Sequence, residues 1–308
     1  MAQGPVGFIG LGRMGQPMSR NLAAAGFDVI VFDVDPRATE EAAAQNARIH
    51  AAESLDAVAK GAGTIILMLP DSPVVRQVLC GHEASTIGEG GLAASLKSHQ
   101  PGGATIIDMS SSFPPETLAL GAMLAERQIT LLDAPVSGGV VRAEAATLAI
   151  MAGGDDAAIA AHEAVFTSMG QVFRTGALGS GHATKALNNF LSASSTIATA
   201  EAILIGQAFG LDPKRMNAVF NNSTGRSNTT DAKVVQYFIP ERYESGFTLA
   251  LLHKDVGMAR QMAASMGLEP EVLEKISDLL QRGNTLLGEG ADHTAMHAYV
   301  KSQFSKQS

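Results

Sequence analysis

Short apolar runs recur through the first half of the chain. Val6–Ile9, Val29–Phe32, Thr64–Leu69, Ala104–Ile107 and Ile129–Leu132 lack the alternation of a half-exposed strand and read as strands buried on both faces. Between the earlier runs, Pro17–Ala25 and Pro36–Ala44 are Ala-rich and read as helices. Strand, amphipathic helix, strand in succession predicts a parallel α/β sheet covered on both sides, a doubly wound fold. Leu148–Met151 and Val172–Arg174 predict later strands around a helix from Asp155 to Met169. The Gly-rich stretch from Gly81 to Gly103 reads as a surface excursion with a helix near Leu92–Lys97.

Beyond Gly181 the pattern changes. His182–Ile205 contains neither Gly nor Pro and predicts one helix of about 36 Å, at ~1.5 Å per residue. Pro213–Asn222, Thr229–Ile239, Leu249–Met266, Pro270–Leu287 and His293–Gln303 follow as helical stretches with no strand pattern between them. The expected organisation is a sheet domain over 1–176 and an all-helical domain over 177–308.

Composition narrows the function classes. With 308 residues and 46% hydrophobic content, the chain is long enough for two domains, can bury roughly 75% of its unfolded surface and is not intrinsically disordered. A net charge of −8 without a basic block argues against nucleic acid and anionic membrane as partners. The single cysteine, Cys80, permits no intrachain disulfide, which suits a reducing compartment. No apolar run reaches the ~18 residues of a membrane span, and no signal peptide is visible. A soluble cytoplasmic protein is expected.

Gly10-Leu11-Gly12-Arg13-Met14-Gly15 follows the first strand and opens the first helix. Gly10 allows a tight turn, Gly12 lets backbone approach a pyrophosphate, and Gly15 permits close helix–strand packing. Free N–H groups at a helix start meet the anion. Asp33, at the end of the next strand, is placed to accept hydrogen bonds from a ribose and to repel a 2′-phosphate, which favours NAD. Its competing assignment is a helix N-cap before Pro36, and Arg37 leaves NADP open.

A second constellation joins Gly176, Gly179 and Gly181 to Lys185, Asn188 and Asn189. The last three stand at i, i+3 and i+4, on one helix face. A lysine on an exposed helix is ordinarily a solvated charge. Here Ala183, Ala186, Leu187, Phe190 and Leu191 surround it, predicting partial desolvation, which brings an ammonium towards neutrality and suits it to exchange a proton with a hydroxyl.

Five motifs in order make the chain resemble the β-hydroxyacid dehydrogenase family, whose fold is that of 6-phosphogluconate dehydrogenase. They are Gly7–Gly15 continuing to Pro17-Met18; Met68-Leu69-Pro70 with Asp108–Ser111; Asp133–Gly139; the glycine–lysine–asparagine constellation; and Lys254-Asp255 within Gly246–Asp255. The resemblance implies hydride exchange between NAD(P) and a small 3-hydroxy acid, as in 3-hydroxyisobutyrate dehydrogenase, without a metal. It implies Lys185 as acid/base and Asn189 as a substrate-positioning residue, with Ser137, Gly138 and Gly139 holding the substrate carboxylate. Leu69, Pro70, Val74 and Ser111 would line the cofactor. Lys254 would reach cofactor or substrate; its competing assignment is a salt bridge to Asp255 or Glu244. A plain turn is the alternative for Ser137–Gly139.

Ala146 departs from the family's usual glycine, a change expected to affect packing more than chemistry. Arg142 and Arg226 are candidates for a second anionic or polar group, or simply surface arginines. Tartronate semialdehyde, L-threonate and sulfonated hydroxy acids stay open as substrates. An imine reductase and a non-catalytic NADH-sensing protein are the rival functions. A homodimer or homotetramer is expected from the apolar surplus of the helical half.

Overall fold

The computed structural model describes residues 4–81, 86–288 and 290–305. The first unit is built on nine strands: β1 (Val6–Ile9), β2 (Val29–Phe32), β3 (Ile49–Ala51), β4 (Thr64–Leu67), β5 (Ala104–Asp108), β6 (Ile129–Asp133), β7 (Val136–Ser137), β8 (Leu148–Gly153) and β9 (Gly170–Gly176). Helices lie between them: α1 (Gly15–Ala24), α2 (Pro36–Gln45), α3 (Leu55–Gly61), α4 (Ser72–Cys80), α5 (Leu92–His99), α6 (Pro114–Ala125), α7 (Gly139–Glu144), α8 (Asp156–Ala161) and α9 (Glu163–Thr167).

The strand order is β3-β2-β1-β4-β5-β6-β8-β7, with β9 on β8. Strands β1 to β6 pair in parallel. The chain therefore reverses direction between β1 and β4, the position where open α/β sheets form a ligand crevice. Strand alternation explains why these runs are apolar throughout. Phe8, Val31, Ile66, Ile107 and Leu132 face one layer, packed with Met18 and Leu22 of α1 and Phe166 of α9. Ile9, Ile65, Leu67, Ile106 and Leu131 face the other, against Val58, Leu79, Leu96 and Leu120 of α3 to α6.

Strand β8 joins this sheet antiparallel to β6 and β7. Two expectations are corrected. The stretch from Gly81 to Gly103 is not a surface excursion, since Leu92, Ala93 and Leu96 of α5 are buried in the core; its residues 82–85 lie outside the described residues. The helix expected over Asp155–Met169 breaks at His162, whose ring meets the Thr64 hydroxyl at 3.1 Å and the Ala158 carbonyl at 2.8 Å.

The division between the compact units falls between Lys185 and Ala186, later than the expected 176/177. Its cause is local. The first turns of α10 (Ser180–Ala208) are tied to the sheet: Asp133 accepts the N–H of Gly179 at 2.7 Å and of His182 at 2.8 Å. A Cβ on Gly181 would collide with the Met151 carbonyl, so only glycine lets the helix start so near β8.

The second unit holds the rest of α10, then α11 (Pro213–Asn221), a π-helical segment (Thr229–Phe238), α12 (Leu249–Ser265), α13 (Glu271–Leu287), a 3₁₀ turn (His293–Ala295) and α14 (Met296–Ser305). Its core includes Leu252, Val256, Leu280 and Met296. Among the described residues, no helix is long and apolar enough to cross a membrane.

Candidate active site

The glycine turn follows β1 directly. Gly10 has φ +97°, and a Cβ there would collide with the Met68 carbonyl; one on Gly15 would collide with the Gly10 carbonyl. Both positions therefore require glycine for packing. Gly12 is different, since a Cβ would meet nothing within 4 Å, leaving its backbone open to an incoming group. Helix α1 begins at Gly15 with no side-chain cap and no acidic residue in its first turn. Arg13 is exposed and Met14 half-buried beside that opening, while Leu11 is buried. An unblocked helix start and an open glycine fit a dinucleotide pyrophosphate.

Asp33 closes one side of this turn. Its Oδ2 accepts the Leu11 N–H at 2.7 Å and its Oδ1 accepts the Asp35 N–H at 2.9 Å. The helix cap belongs instead to Asp35, which accepts the Arg37 N–H. Arg37 also folds onto Asp35 at 3.2 Å and is 84% exposed. Its hydrogen bond holds the Asp35 carboxyl below the usual carboxylate range.

The loops after β4 and β5 are linked. Leu69 donates its N–H to the Ser110 hydroxyl at 2.9 Å. Asp108, buried, accepts the Ser110 N–H at 3.0 Å and the Ser112 hydroxyl at 2.8 Å, which shapes the turn carrying half-buried Ser111. Pro70 is exposed on this rim. Val74 lies half-buried in the first turn of α4 and donates to its cap, Asp71, at 3.0 Å.

After β6, Ser137 is half-buried, and Gly138 and Gly139 adopt φ +137° and +67°. Both glycines are exposed to solvent, and their positive φ is backbone that favours glycine. The Arg142 side chain stacks against Gly138 and is otherwise on the surface. Arg226 is exposed and paired with Asp231 at 2.9 Å.

Sequence reasoning missed His182. It is fully buried, its Nε2–H donates to the Ser110 carbonyl at 3.1 Å, and its Nδ1 meets the Thr117 hydroxyl at 2.8 Å. The carboxylates of Asp108 and Asp133 lie 3.7 and 3.8 Å from its ring nitrogens. His182 thus ties α10 to the loop bearing Ser111. These partners are far apart in sequence and left no local signal. One turn further along α10, Lys185 is 8% exposed.

In the second unit, Asn189 is 5% exposed and donates to Asp255 at 2.6 Å. Asn188 Nδ2 donates to the side-chain Oδ1 of Asn189 at 3.3 Å. Lys254 lies 3.6 Å from the other oxygen of Asp255 and its side chain stays 29% exposed. Of its two alternative ion-pair partners the structure has Asp255, while Glu244 faces Arg242 at 3.8 Å. Asp255 joins Asn189 to Lys254.

The first unit therefore gathers Gly10–Gly15, Asp33, Leu69, Pro70, Val74, Ser111 and Ser137–Gly139 around the C-terminal ends of β1, β2, β4, β5 and β6, with Lys185 on a helix anchored there. Among the described residues, no group of three His, Cys, Asp or Glu is placed to hold a metal.

Residues 5–179 match the family described as the NAD-binding domain of 6-phosphogluconate dehydrogenase, and residues 179–300 match that of the NAD-binding region of NADP-dependent 3-hydroxyisobutyrate dehydrogenase. The chain is 34% identical to 2-(hydroxymethyl)glutarate dehydrogenase of Eubacterium barkeri, covering 96% of this chain and 93% of that one. It is 38% identical to mitochondrial 3-hydroxyisobutyrate dehydrogenase of Homo sapiens over 85% of this chain and 76% of that one. Its fold is similar to 3-hydroxyisobutyrate dehydrogenase of Mycobacterium tuberculosis with L-serine, at TM-score 0.85 and 29% identity, covering 97% and 99% of the two chains.

Proposed function

This chain belongs to the β-hydroxyacid dehydrogenase family, and from that premise we propose that it oxidises the hydroxyl group of a small 3-hydroxy acid, 3-hydroxyisobutyrate being the reference substrate. It is an NAD(P)-dependent oxidoreductase acting on CH–OH groups. The observation that carries the residue assignment is Lys185: a lysine buried to 8% exposure on a helix that Asp133 and His182 anchor to the sheet bearing the glycine turn.

In this reading Lys185 Nζ takes the hydroxyl proton during oxidation and returns it during reduction, and Asn189 orients the substrate oxygen. The backbone at Gly138 and Gly139, with the Ser137 hydroxyl, holds the substrate carboxylate. Gly12 and the start of α1 hold the pyrophosphate, and Asp33 takes the ribose hydroxyls. Leu69, Pro70, Val74, Ser111 and Lys254 line the remainder. The bound nicotinamide supplies the hydride acceptor and donor. Fixing the substrate against Lys185 lowers the barrier by orientation, and proton transfer adds about 10²–10⁴-fold.

Asp33 favours NAD over NADP, and Arg37 is already engaged by Asp35. Tartronate semialdehyde reduction uses the same groups in reverse; L-threonate and sulfonated hydroxy acids would need only a different far end. Lys185 beside Asn189 speaks against imine reduction, and the Ser137–Gly139 segment against a purely NADH-sensing role. Leu187, Leu191 and Ile205 along α10 and Phe209 beyond it are exposed, an apolar stripe suited to a second copy in a homodimer or homotetramer. A monomeric mass in solution would contradict that assembly. We place the enzyme in the cytoplasm. A panel of 3-hydroxy acids with NAD and NADP, followed by nicotinamide absorbance, tests the reading; NADH binding with no turnover on the whole panel overturns it.

A further inference from the structure

We infer that Lys233 is a second acid-binding point, which receives a carboxylate at the end of the substrate remote from its hydroxyl group. The inference rests on the hydroxy-acid reading above and names a substrate class within it: 3-hydroxy dicarboxylates in preference to monocarboxylates.

Lys233 lies in the π-helical segment Thr229–Phe238 and is 8% exposed. Its ammonium donates to the Ser192 hydroxyl at 3.3 Å and the Thr196 hydroxyl at 3.2 Å. Among the described residues, no carboxylate stands within ion-pair distance of it. Asp292 lends a favourable field, but its oxygens already accept from the Ser245 hydroxyl, the Gly246 N–H and both the N–H and hydroxyl of Thr294. The other titratable neighbour, His293, is pushed down to about 4 by burial and by Lys233 itself, so it is neutral and offers the ammonium no countercharge. Burial draws Lys233 down to about 8.

An ammonium has three donors, and here two neutral hydroxyls meet it. Burying a charge without an opposite charge is costly, and an apolar side chain of similar volume would fill the space more cheaply. That disfavoured arrangement is explained if the missing negative charge arrives with a ligand. The position agrees. Lys185, Asn189, Ser192 and Thr196 follow at spacings of four, three and four residues along one face of α10. At ~1.5 Å per residue, Ser192 and Thr196 lie about 4.5 and 10.5 Å beyond Asn189 along the axis. A substrate with its hydroxyl end at Asn189 thus extends along the same face towards Lys233. π-helical turns are rare and recur at functional sites. The two arginines that sequence reasoning offered for this task are on the surface, Arg226 in an ion pair with Asp231.

The test compares glutarate with valerate, matched in carbon count and lacking the hydroxyl group, by calorimetric titration of the full-length protein. We expect glutarate to bind at least about tenfold more tightly in the native protein, the advantage to vanish in Lys233→Met and to persist in Lys233→Arg. In turnover, the ratio of kcat/KM for 2-(hydroxymethyl)glutarate over that for 3-hydroxyisobutyrate falls at least about tenfold in Lys233→Met. Equal affinity of the native protein for the two acids overturns the inference, whether or not the variants fold. A glutarate advantage that depends on Lys233, in a protein that oxidises no hydroxy acid, would uphold the acid-binding point and sink the catalytic reading instead.

Discussion

The Asp133 carboxylate accepts the backbone N–H of His182 at 2.8 Å from a fully buried position, while its other oxygen accepts the N–H of Gly179 at 2.7 Å. An anion here meets the positive end of the helix dipole and makes two charge-assisted hydrogen bonds. Asp133 ends β6, and the chain passes from it directly to Ser137. One carboxylate therefore fixes both the start of the substrate-binding segment and the turn of helix that precedes Lys185.

Asp133→Asn keeps the size but turns an NH₂ group towards one of the two N–H donors. Loss of one charged hydrogen bond, with a buried donor left unmet, costs about 3 kcal/mol. Thermal unfolding should show Tm lower by about 5–10 °C, with kcat reduced as well. An unchanged Tm would mean that the helix start is held by other contacts.

Lys185→Ala should lower kcat by about 10²–10⁴-fold while leaving NADH affinity within about twofold, since Gly12 and Asp33 are untouched. Lys185→Arg should not restore turnover, because a guanidinium does not give up its proton in this range. Initial rates combined with fluorescence titration of NADH separate the two effects. Wild-type turnover in a purified variant would remove the lysine from the mechanism.

Ala146 adopts φ +54°, a left-handed conformation in which its Cβ is strained. It is here that the family commonly has glycine. Ala146→Gly should relieve the strain, offset in part by the greater freedom of glycine in the unfolded chain. The net gain is about 0.5–1 kcal/mol, or a Tm rise of about 1–4 °C, with kcat/KM unaltered. A lower Tm would show that the turn tolerates alanine without strain.

His293 and His297 are both pushed down to about 4, chiefly by burial. Each is neutral in the fold and takes up a proton on unfolding at mildly acid pH, where its unfolded value is about 6.5. Their contribution is complete above pH 6.5 and is lost as pH falls towards 4. Tm should therefore drop between pH 7 and pH 4.5 by about 5–10 °C. His297→Gln should flatten that slope; a slope identical to that of the native protein would assign the acid lability elsewhere.

Much of this was legible along the chain because the strands that carry the site are buried on both faces and so appear as unbroken apolar runs. The glycine turn was readable for a related reason: Gly15 is demanded by a collision with the carbonyl of Gly10, five residues before it. What could not be read is non-local. Asp108, Asp133 and His182 form one buried cluster from three distant segments. Helix α6 has an exposed leucine, Leu118, as well as buried Leu120 and Leu124, so no single stripe marked it. Thr229–Ile239 reads as an ordinary helix, and only packing against Ser192 and Thr196 distinguishes Lys233 from a solvated lysine.

The helix bearing Lys185 borrows its first anchor from a residue 46 positions upstream. A fragment beginning at Ala177 would contain the whole lysine helix yet none of that anchor. Its leading turns would fray in water, so gene fusions, splicing events or engineered chimeras that cut at the last strand would inherit a lysine without a fixed address.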